Sequence, residues 1–231
     1  MEGNHDRTHL APPSWLALAL AGCCAVGGAT AKAGLDAPLV LTQTPREHAG
    51  PPADWDPAGV GRGDWFDGAR VAVVAPTGEL RVLSEGFASA CDPSPSWDGE
   101  RVLFAGKKTR EDRWRIWEIG MKGQGLRAVS PENQNARGPV YATTLFTLDS
   151  PEPWHTVVYT ANEATVNEAG RAASSSLYNV RLDGSELRRL TYHPNRVYDP
   201  FQMWDGRVLY AAERYPREAG SATGGTALYS I

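Results

Sequence analysis

From about residue 65 onward, apolar and polar side chains alternate in short runs, and no stretch sustains the 3.6-residue recurrence of an amphipathic helix. Arg115-Ile-Trp-Glu-Ile119 alternates, Met121-Lys-Gly-Gln-Gly125 turns and Leu126-Arg-Ala-Val-Ser130 returns. The same grammar recurs as Ser176-Leu-Tyr-Asn-Val-Arg181, Leu182-Asp-Gly-Ser185 and Glu186-Leu-Arg-Arg-Leu-Thr191. It stands earlier as Arg70-Val-Ala-Val-Val-Ala75, Pro76-Thr-Gly78 and Glu79-Leu-Arg-Val-Leu-Ser84. Three hairpins of one design predict an all-β chain with helix nearly absent.

A second repeated element precedes or follows these hairpins. Asp92-Pro-Ser-Pro-Ser-Trp-Asp-Gly-Glu-Arg-Val-Leu-Phe104 returns, with one deletion, as Asp199-Pro-Phe-Gln-Met-Trp-Asp-Gly-Arg-Val-Leu-Tyr210. In each copy an extended X-Pro segment leads to Trp97 or Trp204, then to Asp-Gly, then to a β-branched or aromatic run. Asp-Gly suits a tight hairpin, because the turn needs positive φ that glycine adopts freely and aspartate tolerates. Joined to the first element, this predicts a four-stranded antiparallel unit repeated at a period of tens of residues, which is one blade of a β-propeller. The unit resembles the TolB-type repeat of bacterial propellers, with its Pro-x-Trp segment, Asp-Gly turn and closing Arg-x-Leu-Thr. Residues 92–130 carry the resemblance well; in residues 138–191, Gly138-Pro139 replaces Asp-Pro and residues 148–154 replace the Asp-Gly turn.

Counting blades gives about two whole ones and two partial ones over residues 38–231. The first has Leu39-Val-Leu-Thr-Gln43 and the hairpin at 70–84 without an inner strand; the last has strands near 200–204, 207–212 and 226–231 without an outer one. Propellers close with about four to eight blades, so the expectation is an incomplete propeller, either the front of a longer one or a truncated product.

The N-terminal segment changes the picture of where the chain works. Trp15-Leu-Ala-Leu-Ala-Leu-Ala21 is too short to span a bilayer but fits the apolar region of a secretory signal. Leu20-Ala21-Gly22-Cys23 resembles a bacterial lipobox, which implies a signal peptide over 1–22, lipidation at Cys23 and a tether over 23–37. Ala29-Thr-Ala31 offers an ordinary signal-peptidase site as the alternative, which would leave a secreted soluble product. Three cysteines do not make a disulfide framework, and Cys91 reads as a small buried hydrophobe.

Composition supports a globular β chain rich in turns: 42% hydrophobic and 22% charged, with 24 glycines and 17 prolines among 231 residues. The net charge of -4, with Lys and Arg scattered, excludes a basic stripe for nucleic acid. His48, His155 and His193 stand apart without metal-ligand spacing, and there is no Gly-x-Ser-x-Gly elbow, phosphate loop or Cys-x-x-Cys-His haem motif. No catalytic residue, metal or cofactor is expected. Asp92 and Asp199 stand just before the inner strands, where they either line a channel mouth and bind a cation or basic peptide, or cap a loop through backbone N–H groups. Trp97, Trp114, Trp117 and Trp204 are expected to pack between blades rather than form a recognition surface.

The leading expectation is therefore an exported, lipid-anchored propeller that binds or scaffolds protein or peptide partners in the cell envelope. The alternative makes the chain the non-catalytic front of a larger enzyme, since similar propellers precede the hydrolase domain of prolyl-oligopeptidase-like peptidases. Pro38-Leu-Val-Leu-Thr-Gln-Thr-Pro45, with the Asp-Pro and Arg-Ile-Trp-Glu blade, also resembles the N-terminal propeller of hydrazine-synthase alpha-subunit-type proteins. That family implies c-type haem in later domains, for which this chain holds no motif. Carbohydrate binding through exposed Trp is a third possibility.

Overall fold

The computed structural model describes residues 35–45, 67–145, 154–168, 170, 173–215 and 225–231. The leader, Cys23, His48 and most of the tether lie outside these residues, as does the greater part of the segment at 148–154.

Every regular element among the described residues is a strand, and the strands form four antiparallel sheets. Sheet one joins β1 (Leu39–Gln43), β2 (Arg70–Val74) and β3 (Leu80–Val82). Sheet two joins β4 (Ser89–Pro95), β5 (Arg101–Lys107), β6 (Arg115–Gly120) and β7 (Arg127–Ala128). Sheet three runs β8 (Ala136–Leu145), β9 (Trp154–Val166), β10 (Ala173–Arg181) and β11 (Arg188–Arg189). Sheet four holds β12 (Val197–Gln202), β13 (Val208–Arg214) and β14 (Gly225–Ser230). Sheets two and three are the two whole blades that the repeats predict. Matching hairpins β2-β3, β6-β7 and β10-β11 makes β1 the second strand of its blade, so among the described residues sheet one has no inner strand and sheet four no outer one.

The closing Ser or Thr of each hairpin has a physical task. Ser84, Ser130 and Thr191 are buried, and their hydroxyls accept the backbone N–H of Val71, Ile116 and Leu177 at 2.9 Å each. In each case the residue before it, Leu83, Val129 or Leu190, donates its N–H to the carbonyl of that same partner. One hydroxyl thus satisfies a third-strand amide where the short outer strand ends, a position at which a buried orphan N–H would be costly.

Successive sheets pack face to face around three apolar clusters. Val71, Val73, Phe104 and Ile119 join sheets one and two; Leu103, Ile116, Val157 and Tyr159 join two and three; Val158, Leu177, Val197 and Tyr210 join three and four. Cys91 lies fully buried in the second of these, as the sequence predicts. The inner strands are also tied backward: Ala90 N–H donates to the carbonyl of Ala69 and Ala136 N–H to that of Trp114, both at 2.8 Å. At the third junction a side chain takes over, because the Ser175 hydroxyl accepts from Val197 N–H at 2.9 Å and donates to its carbonyl at 2.7 Å.

Two expectations about the turns and tryptophans need correction. Asp98, Asp183 and Asp205 do not adopt positive φ; only the following glycines do, and each carboxylate instead accepts the N–H two residues on. Trp114 is buried and Trp117 half-buried, but Trp97 is 57% exposed and Trp204 95% exposed. Both exposed rings stand two residues beyond the last residue of an inner strand; Trp97 still reaches the rim of sheet three, its ring 6.5 Å from that of Tyr141 and 6.2 Å from that of His155.

Candidate functional site

All three inner strands share a register break, between Cys91 and Ser94, between Arg137 and Val140, and between Tyr198 and Phe201, and β8 has a second between Ala142 and Leu145. The residue responsible is left-handed in each, Asp92 at φ 54°, Gly138 at 58° and Asp199 at 52°, and each precedes a proline. Proline supplies no amide for the ladder, and glycine and aspartate are among the residues that tolerate this region. Gly138 in place of aspartate, an apparent departure from the repeat, therefore keeps the backbone geometry and gives up only the carboxylate.

Asp92 and Asp199 thus sit inside the inner strands, not before them. Asp92 is engaged from the next sheet. Its Oδ2 accepts Arg137 Nε at 2.9 Å and the N–H of Gly138 at 3.1 Å, and its Oδ1 accepts Arg137 Nη2 at 3.4 Å, all from the next sheet. Burial works against the Arg137 charge, yet the neighbouring carboxylate of Asp92, helped by Asp199, holds its pKa above the ordinary arginine value. Arg137 also lies over the Trp114 ring, 4.7 Å from its centroid.

Asp199 lines a cleft of about 280 Å³, together with Arg137, Thr160, Asn162, Ser175 and Arg196. Trp114, from sheet two, forms part of the same wall. Thr160 and Arg137 are cross-strand partners, which places their side chains on one face of sheet three. Arg196 is bound to the buried carboxylate of Glu213, its Nε donating to Oε1 at 2.6 Å. Thr160 was not singled out by sequence, and a lone threonine in an alternating strand carries no signal that would do so.

A second concavity, about 540 Å³, lies at the turn end of sheet two and exposes Arg101, Lys122 and Arg127 around Glu118. Glu118 is buried; its Oε2 accepts Arg127 Nε at 2.7 Å and its Oε1 accepts the Tyr141 hydroxyl of sheet three at 3.0 Å. Burial, then the Glu118 charge, pushes the Tyr141 phenol far above its ordinary range, so it stays protonated as a donor. This is a lock between blades. Among the described residues no three of His, Cys, Asp and Glu converge as metal ligands. His155 lies against Trp97, and His193 against Tyr210 and Tyr229.

Repeated four-stranded sheets, stacked by their faces and tied inner strand to preceding blade, define the chain as part of a β-propeller. No protein-family model matches the chain. Over 104 residues it is 34% identical to hydrazine synthase subunit alpha of Kuenenia stuttgartiensis, a match covering 45% of this chain and 12% of that protein. The solved hydrazine synthase of Kuenenia stuttgartiensis superposes with a TM-score of 0.66 at 20% identity, covering 83% of this chain and 30% of the other. A putative TolB of Agrobacterium tumefaciens gives 0.49 at 14% identity, covering 71% and 57%. The chain therefore spans a small part of the length of the hydrazine synthase subunit that it resembles.

Proposed function

We propose that the chain is a non-catalytic, exported propeller module that binds and scaffolds protein, serving as the propeller portion of a larger assembly of the hydrazine synthase alpha type. The similarity to that subunit supports the assembly. The lipobox at Leu20-Ala21-Gly22-Cys23 supports an anchored location in the envelope.

One observation carries the scaffolding role. Pairing puts Phe201 beside Leu209 and Ala211 beside Leu228, on the face of sheet four opposite to the Val208, Tyr210 and Ala212 face that packs on sheet three. Phe201 is 64% and Leu228 69% exposed. A sheet with apolar side chains on both faces is the pattern of a sheet buried on both sides, and an exposed apolar face of this kind marks an association surface. Its complement is the face of another blade-like sheet.

Light scattering on size-exclusion fractions of the full chain, together with binding of a hydrophobic dye, tests this. Association or dye binding is expected, and is expected to fall when Phe201→Lys and Leu228→Lys are combined. A wild-type chain that stays monomeric at high concentration and leaves the dye dark would refute the reading.

A further inference from the structure

We propose that the rim of the blades holding Trp97 and Trp204 is a lipid-bilayer contact, with its apolar side chains entering the headgroup boundary of a zwitterionic membrane. The choice of a bilayer as partner rests on the anchored location proposed above. The surface is distinct from the apolar face of sheet four and does not depend on it.

Strand direction locates the rim. β4 runs towards Trp97 and β12 towards Trp204, and β5 and β13 start back from there. The turns that join β2 to β3, β6 to β7 and β10 to β11 fall at the same end, and each hands over to an exposed leucine, Leu80, Leu126 or Leu187. Leu39 opens β1 and Ile231 follows β14 at this end too, both exposed. Of the eleven exposed large apolar side chains among the described residues, seven therefore gather on one rim. Val166 and Tyr192 lie at the other, and Phe201 and Leu228 on the exposed face of sheet four.

The arrangement fits a flat partner. Equivalent turns of successive blades stand at one level around the stack, so one plane touches these side chains together. Exposed apolar surface on this scale marks an interaction site, and indole rings favour the membrane interface because their body is apolar and their N–H is wet. Charge agrees with a zwitterionic headgroup: Arg101 stands among Asp98 and Glu100, and Arg207 is paired to Asp205 at 2.7 Å, so neither sign prevails beside the two rings.

Chain path supplies the remaining argument. Leu39 enters the fold on this rim, 16 residues after Cys23. That length extends to at most roughly 55 Å, so an acyl group on Cys23 keeps this end of the blades near the bilayer and raises its effective concentration there.

The test is hydrogen–deuterium exchange of the full chain from an exporting host, wild type and Cys23→Ala, with and without phosphatidylcholine vesicles. Slower exchange is expected in both at 96–100, 121–126, 183–187 and 203–206, and no change at 108–113 on the opposite rim. Cys23→Ala is expected to bind more weakly with the same segments protected; equal affinity of the two would remove the acyl anchor and leave the rim contact standing. Trp97→Ser combined with Trp204→Ser is expected to weaken vesicle binding about tenfold or more, and Leu126→Ser combined with Leu187→Ser several-fold. Circular dichroism should not change, because all four side chains are exposed. Added salt is expected to alter binding little, since apolar insertion rather than net charge holds the rim. Absence of vesicle protection, protection confined to 108–113 or to the face of sheet four, or unchanged binding in both double variants would each overturn the proposal. Equal protection by a soluble oligosaccharide would do so too, by making the rim a sugar site.

Discussion

Replacement of Asp92 by Ala, Gly and Asn separates the two tasks that this residue performs. Alanine in the left-handed region costs about 1–2 kcal/mol from backbone sterics alone. Removing the carboxylate costs about 1.5–3 kcal/mol more, because the hydrogen bonds it accepts come from a charged group and from a backbone N–H. Little is lost to solvent screening, since the side chains of Arg137 and Asp92 are 21% and 11% exposed. Alanine should therefore destabilise by about 2.5–5 kcal/mol, a large share of the roughly 5–15 kcal/mol that holds a domain folded. Glycine keeps φ and loses only the bonds, which should cost about 1.5–3 kcal/mol, while asparagine keeps φ and an acceptor for Gly138, at about 1–2 kcal/mol. Urea unfolding followed by tryptophan fluorescence gives the three values from midpoint and slope. Equal losses for Ala and Gly would remove backbone strain from the account. Losses within about 0.5 kcal/mol for all three would show that the carboxylate holds nothing between sheets.

Other outcomes follow from local geometry. A Cβ on Gly106 would stand 2.7 Å from the Phe87 ring and 3.0 Å from Phe104, so Gly106→Ala should lower the thermal midpoint clearly, whereas at Gly120 the neighbour is the flexible end of Gln124 and Gly120→Ala should be milder. Ser130→Ala should cost about 1–3 kcal/mol in urea unfolding by orphaning the Ile116 amide, and Ser130→Thr should restore most of it. Burial, then the hydrogen bond to Glu163, raises the Tyr178 phenol from its ordinary 10 to about 12. Its contribution to stability is thus complete below pH 10 and is lost as pH rises towards 12, and Tyr178→Phe should remove one late-ionising phenol from the ultraviolet titration. Mass spectrometry of the exported product should find an acylated N-terminus at Cys23, absent in Cys23→Ala; a mature chain starting at Lys32 would point to the ordinary cleavage site instead.

The sheets were legible because turn and strand signals repeat: Asp92-Pro and Asp199-Pro mark inner strands, and the endings Arg81-Val-Leu-Ser84, Arg127-Ala-Val-Ser130 and Arg188-Arg-Leu-Thr191 mark outer ones. Hidden from sequence was anything that crosses between blades. Asp92 reads as a local cap because its partners, Arg137 and Gly138, stand 45 and 46 residues away. Trp97 and Trp204 read as core by residue type, yet beyond the inner-strand ends Trp97 covers only the rim of sheet three and Trp204 is almost wholly exposed. The cleft draws on three sheets, and Thr160 in its wall has a buried hydroxyl with no hydrogen-bond partner within the chain, which no residue pattern records.

The hook from Asp92 to Arg137-Gly138 gives the array a direction. The inner strand of sheet two offers its left-handed residue forward, and the blade that follows presents a matching arginine and an amide at the same height. Blades so joined are not interchangeable parts. A gene in which the segments for sheets two and three were transposed would conserve every strand and every apolar contact surface, and would still leave the Asp92 carboxylate facing a blade that cannot answer it.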